Sequence, residues 1–175
     1  MNAEANRNLD FIFGRRSIRA YTAEAVSEEA VQKLLEAAMA APSAAAKDPW
    51  RFVVVRNREL LSRVAEALPH GRMLATAAVG VAICGDLEAA HDRQLSYLLQ
   101  DCAAACENLL LAAHALGLGA CWLGVHPREE RIKQVREILR LEASWVPVAV
   151  VAIGHPAETK EPRTRFNPAY VRRED

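Results

Sequence analysis

From Ser27 to Ala41 the apolar residues Val31, Leu34, Leu35 and Ala38 recur at helical spacing. Ser27 stands where a capping hydroxyl belongs, and Glu28 and Glu29 follow at the positive end of the helix dipole. Pro42 predicts the stop, because the residue before a proline is pushed out of helical geometry. Phe52–Val55 is a short apolar run that predicts a buried strand, and Glu59–Leu68 returns to helical spacing. Ala77–Cys84 predicts a second buried strand, ended by Gly85 and Asp86. From Gln94 to Leu116 the apolar positions cover far more than one stripe, so the pattern predicts a long helix buried on several sides, against its own sheet and against a second subunit. Gly117 and Gly119 end it. Ala120–Leu123 predicts a third strand, Pro127–Leu139 a helix opened by proline and acidic residues, and Val146–Ile153 the last strand. After Gly154 the chain turns rich in proline and charge with no helical period, which predicts an extended tail over His155–Asp175. The order of elements gives an α+β or α/β sandwich around a central sheet.

Composition narrows the function classes. The 175 residues suit one domain, 1–175, including the tail. Twenty-two basic residues balance twenty-two acidic ones, so no global field recruits nucleic acid or an anionic membrane, and any anion preference is local. Met1–Arg7 is polar and lacks the apolar core of a signal peptide, and no run of about 18 apolar residues occurs. A cytoplasmic protein is expected. Cys84, Cys102, Cys106 and Cys121 lie in apolar surroundings without a Cys-x-x-Cys pair and read as buried thiols. The five histidines, His70, His91, His114, His126 and His155, show no metal-ligand spacing, so no metal is assigned.

Three segments carry candidate chemistry. Arg15, Arg16, Ser17, Ile18 and Arg19 place three guanidinium groups and a hydroxyl within five residues, an anion grip in which each planar fork can meet two phosphate oxygens. Alone, such a run reads more often as a solvated basic turn. Pro42 to Phe52 is a loop bracketed by two prolines, with Trp50 leading into a strand; it is either a plain connector or a stiff loop presenting backbone donors to a flat ligand. Gly117 to Gly124 looks like a dinucleotide fingerprint only superficially. The third glycine is replaced by Trp122, and the run lies between a helix and a strand rather than between a strand and a helix.

Taken together and in this order, RRSIR, PS followed by PWRF, GLGACWLG and the tail from Gly154 through Arg163 to Phe166 resemble the nitroreductase family of FMN enzymes over nearly the whole chain. The resemblance implies a nitroreductase-like α+β sandwich with a central mixed sheet flanked by helices, in an intertwined homodimer with two flavin sites at the subunit interface. It implies that Arg15, Arg16 and Ser17 grip the flavin phosphate, with Arg163 and Arg165 closing over it from the tail. Arg19 matches the basic residue near the pyrimidine edge, where a cation favours the negative charge of the reduced ring. Pro42, Ser43, Ala44 and Ala46 match the loop that reaches the flavin from the other subunit, and Trp122, Leu123 and Gly124 match the strand end against the ring. The implied activity passes two electrons from NAD(P)H through FMN to a nitroaromatic, quinone or similar planar acceptor with ping-pong kinetics. No side chain need act as acid or nucleophile.

Two positions depart from the family pattern. Ala46 stands where an Asn is common, which deletes a polar handle at the flavin edge, and Asp48 stands where a Gln is common, which adds a negative charge beside Lys47. Only about Leu87 to Arg93 links the second strand to the central helix, where longer relatives insert a pocket-shaping excursion. An FMN-binding protein with little turnover, a flavin store or sensor, is therefore the alternative, followed by specialised flavin chemistry such as reductive dehalogenation.

Overall fold

A computed structural model describes residues 9–174; the expected polar leader Met1–Arg7 and the tail's last residue, Asp175, lie outside the described residues. Among the described residues a short helix, α1 (Asp10–Gly14), precedes four α-helices and four strands in the predicted order: α2 (Glu28–Met39), β1 (Trp50–Val55), α3 (Arg58–Ala67), β2 (Val79–Asp86), α4 (Leu95–Ala115), β3 (Gly119–Gly124), α5 (Glu129–Leu139) and β4 (Trp145–Gly154). The caps act as their chemistry requires. The Ser27 side chain accepts from the Ala30 amide at 3.1 Å and Asn57 accepts from Leu60 at 3.0 Å, each satisfying an amide that the first helical turn leaves free.

The sheet runs β1-β2-β4-β3, and every named pair is antiparallel. Its mixed character comes down to one parallel bridge, Ser17 to Ala120, where the segment after α1 lies beside β3. The continuous apolar strands are explained by burial on both faces. Along β2, Val79, Val81 and Ile83 join the core shared with α2 and α4, while Ala82 and Cys84 face the core shared with α3 and α5. Strand β4 divides the same way, with Val151 and Ile153 on the first face and Val150 and Ala152 on the second. Fully buried Leu34, Leu98, Leu109, Leu61 and Leu74 clamp the layers from both sides, each side chain contributing about 1.5–3 kcal/mol of apolar burial.

Helix α4 is buried at Leu98, Cys102, Ala105, Cys106, Leu109, Leu110 and Ala113, yet Leu99, Ala103, Ala104, Leu111 and Ala112 remain only half-covered. Among the described residues, no helix is long and apolar enough to cross a membrane.

Candidate cofactor and substrate site

The basic segment is extended, and it lies against the sheet because β3 opens with a residue that has no side chain. The Ile18 amide donates to the Ala120 carbonyl at 3.0 Å. A Cβ on Gly119 would sit 2.6 Å from Ile18 Cγ2, so glycine is what permits this approach. Behind it, the Tyr21 hydroxyl reaches the carbonyls of Ile18 (2.7 Å) and Ala152 (3.1 Å), and burial, then Cys121, pushes the phenol well above its ordinary value.

The tail returns along this same segment. Thr22 donates its amide to His155 at 2.9 Å, Ala157 donates to Ala20 at 2.9 Å, and the Lys160 ammonium donates to the Ser17 carbonyl at 2.8 Å. Glu158 accepts from the Arg19 amide at 2.5 Å and pairs with Lys160 at 3.0 Å. Those two donors, the Arg19 amide first, hold its carboxyl below the usual range. The Arg16 guanidinium donates to the Glu161 carbonyl, and the Arg163 amide donates to Phe13 at 3.2 Å. Residues some 140 positions apart thus form one clamp.

Beside the clamp opens a cavity of about 650 Å³. Its floor is the end of β3, Trp122, Leu123 and Gly124, and Arg19 reaches it from the basic segment. The loop from α3 to β2 supplies Leu68, Pro69, His70, Arg72 and Met73, and α5 supplies Arg131, whose guanidinium donates to the Gly124 carbonyl at 3.0 Å. Among the described residues, no carboxylate lines the cavity. A Cβ on Gly124 would meet nothing within 4 Å, so glycine leaves that strand end flat and bare toward open space. An apolar strand end with three arginines around it and no carboxylate in the described wall suits a planar ligand carrying negative charge, so these residues fit a flavin. Cys121 also reaches the cavity but is only 2% exposed. Burial raises its thiol against the pull of Arg19 and Lys160, which keeps it protonated and poorly nucleophilic.

The expected site residues divide into four groups. Arg19, Trp122, Leu123 and Gly124 share the cavity. Arg15, Arg16 and Ser17 sit in the adjoining clamp, with Arg15 paired to Glu107 of α4 at 3.2 Å and Ser17 beside the Cys121 thiol. Arg163 and Arg165 are exposed, and neither lines the cavity.

Pro42, Ser43, Ala44 and Ala46 belong to a separate region. Their loop is held to α4 by Asp101, which is 5% exposed and accepts from the Ala44 amide at 2.9 Å; its second oxygen is buried without a partner. The Ser43 hydroxyl donates to Asp48 at 2.5 Å and accepts from the Asp48 amide at 3.0 Å, so Asp48 turns inward on its own loop. Lys47 faces a different hollow, of about 560 Å³, shared with residues 88–93. Ala45, Ala46 and Asp48 have φ of 50°, 51° and 49°, and Asp92 and Arg93 across the hollow have 51° and 53°. Such left-handed backbone at non-glycine residues costs of order 1 kcal/mol or more each and gathers at functional loops.

Sequence reasoning missed His70, Arg72, Met73 and Arg131 as cavity residues, Asp101 as the loop's anchor, and Glu158 and Lys160 as the clamp. Only the acidic and basic pair two apart in the tail offered a signal. The others are brought in by topology.

An α+β sandwich whose bare strand end opens on a cavity lined by cations suits the class of proteins that hold a planar anionic cofactor. The comparisons make the class specific. The model of the nitroreductase family matches residues 12–71 and 66–155, and the chain belongs to that family. A protein of Archaeoglobus fulgidus named "Putative NADH dehydrogenase/NAD(P)H nitroreductase" is 45% identical over 169 residues, covering 95% of this chain and 97% of its own. A crystal structure under the same name from Parabacteroides distasonis superimposes with a TM-score of 0.91 at 37% identity, over 97% of this chain and 99% of that one. A third, a "putative nitroreductase in complex with FMN" from Desulfovibrio desulfuricans, has a TM-score of 0.83 at 38% identity, over 95% and 96% of the two chains.

Proposed function

We propose that this protein is an FMN-dependent oxidoreductase that passes two electrons from NAD(P)H to a nitroaromatic, quinone or similar planar acceptor, as a homodimer with two sites. The observation that carries the reading is the acid-free cavity floored by Trp122, Leu123 and Gly124 with Arg19 beside it, in a chain of this family. FMN, when bound, supplies a two-electron carrier that donor and acceptor visit in turn through one cavity, a ping-pong scheme.

The chain's own residues bind and tune. Arg15 and Arg16 each commit one donor, to Glu107 and to the Glu161 carbonyl, and a guanidinium has five, so both retain donors for the phosphate alongside Ser17. The Arg163 backbone is tied to Phe13, while its side chain and that of Arg165 are exposed and in reach to close over the same anion. Arg19 places positive charge at the ring's edge, and Trp122 and Leu123 keep water from that side. The Pro42–Ala46 loop lies outside the wall of its own chain's cavity, and in this reading it is supplied by a second copy. Four free buried cysteines suit the reducing cytoplasm.

Asp48 favours a second reading. Its carboxylate is fixed to Ser43 in the loop assigned to the ring, and beside it Ala46 offers no polar group, so a flavin-binding protein with little turnover is the competitor. The absorption spectrum of the purified protein, before and after anaerobic NADH or NADPH, separates the two. A yellow protein that bleaches within seconds is the expected result. One that stays oxidised favours the store or sensor, and a colourless protein that cannot be loaded with FMN sinks both.

A further inference from the structure

We infer that Arg131 is a specificity-determining residue, holding an anionic group of the ligand that enters the cavity beside the flavin. The inference rests on the flavin reading for its place in the reaction, but its observations are those of the cavity itself. Arg131 rises from the first turn of α5 and is anchored by one hydrogen bond to the Gly124 carbonyl at 3.0 Å. That bond uses one of five donors and orients the guanidinium at the edge of the bare strand end. No acidic side chain lies within salt-bridge distance of it among the described residues, nor does any carboxylate line the wall.

Arg72 and Arg19 reach the same space from two other segments, and His70 lines it as well. Three cations in one cavity repel one another and are stabilised by any anion that enters. Arg19 is assigned to the ring's edge. Arg131 is tied to the Gly124 carbonyl from a different element than Arg19, and in this reading it meets the incoming molecule rather than the ring. A neutral planar compound would leave this guanidinium unpaired as it displaced water. A carboxylate or phosphate meets it with a bidentate, charge-assisted pair.

Two molecules can bring that anion: a carboxylated aromatic acceptor, or a dinucleotide through the 2′-phosphate that separates NADP⁺ from NAD⁺. Calorimetric titration distinguishes them without turnover. The wild-type protein, as purified and after loading with FMN, is titrated with 4-nitrobenzoate and 4-nitrobenzamide, and with NADP⁺ and NAD⁺. The same titrations are run on Arg131→Gln and Arg131→Lys.

A preference for the charged member of either pair of about tenfold or more, falling toward one in Arg131→Gln and partly retained in Arg131→Lys, is the expected result. The pair that loses its preference identifies the source of the anion. Equal affinities within both pairs, or preferences that survive Arg131→Gln, would overturn the assignment. Preferences that depend on Arg131 in a protein unable to hold FMN would support it while removing the flavin reading.

Discussion

Two glycines on one strand, five residues apart, are kept for opposite reasons, and substitution tells them apart. Gly119 is bare because Ile18 presses on it, so Gly119→Ala forces the basic segment off the sheet and should cost about 1–3 kcal/mol in denaturant unfolding. Gly124 opens on the cavity with no protein atom pressing on it. Gly124→Ala meets no protein atom within 4 Å and should change stability by less than about 0.5 kcal/mol, yet weaken FMN binding in a fluorescence titration. Equal FMN affinity in Gly124→Ala and wild type would remove the strand end from the site. The phosphate assignment is tested on Arg15 and Arg165, whose alanine variants should each weaken FMN by about 1.5–3 kcal/mol if each loses a charge-assisted contact. Arg165 is the sharper test, since its side chain is exposed and its loss leaves folding alone.

At the scale of elements, two connections outside the α-helices and strands are each held by one carboxylate. The Pro42–Asp48 loop hangs on Asp101, so Asp101→Ala should destabilise the fold by about 1–3 kcal/mol in urea and loosen the loop in hydrogen exchange; equal protection at Ala44 in both proteins would refute the anchor. The tail hangs on Glu158. Its carboxyl is held below the usual range by the Arg19 amide and by Lys160, so its contribution is complete above the unfolded carboxylate value of about 4.3 and is lost as pH falls through the lowered folded value. Protection of the Arg19 amide, corrected for intrinsic exchange, should hold from neutrality to mild acidity, then collapse, and Glu158→Gln should abolish the transition.

These connections are also where sequence and structure part. The helices and strands were legible because each buries a periodic or continuous apolar set: β2 and β4 read as unbroken runs since helices cover both faces, and α2 announced itself through Ser27 and the Val31, Leu34, Ala38 stripe. Arg72 and Arg131 were not legible as partners of Trp122. The α3–β2 loop and the first turn of α5 meet the end of β3 only through the strand order, which no local pattern encodes. The basic segment and the tail could be matched by resemblance, but the clamp of Ser17, Arg19, Glu158 and Lys160 could not be seen before its hydrogen bonds were.

At the scale of the whole molecule, large apolar side chains stand exposed at several element ends. Leu9, Phe11, Ile12 and Phe13 on and before α1 are 40–44% exposed, and Leu116 at the end of α4 and Met39 at the end of α2 are about half exposed, at 48% and 51%. Phe166, Tyr170 and Val171 stand out along the tail. Helices α1 and α2 both pack on α4, and a second copy seated on its half-covered stripe would bury the apolar side chains at their ends. Sedimentation at low micromolar concentration should therefore give twice the 19.2 kDa of the chain, and Phe13→Asp with Leu116→Asp should shift it toward one. The same experiment reaches the site. If the Pro42–Ala46 loop of one copy completes the other's cavity, flavin affinity must depend on protein concentration, because a dissociated chain has the floor and the cations without that wall. Dilution should then release FMN in step with the loss of the dimer, and the Asp variants should bind it weakly while keeping their helical circular dichroism. A monomeric variant that holds FMN as tightly as the parent would show that each chain builds its site alone.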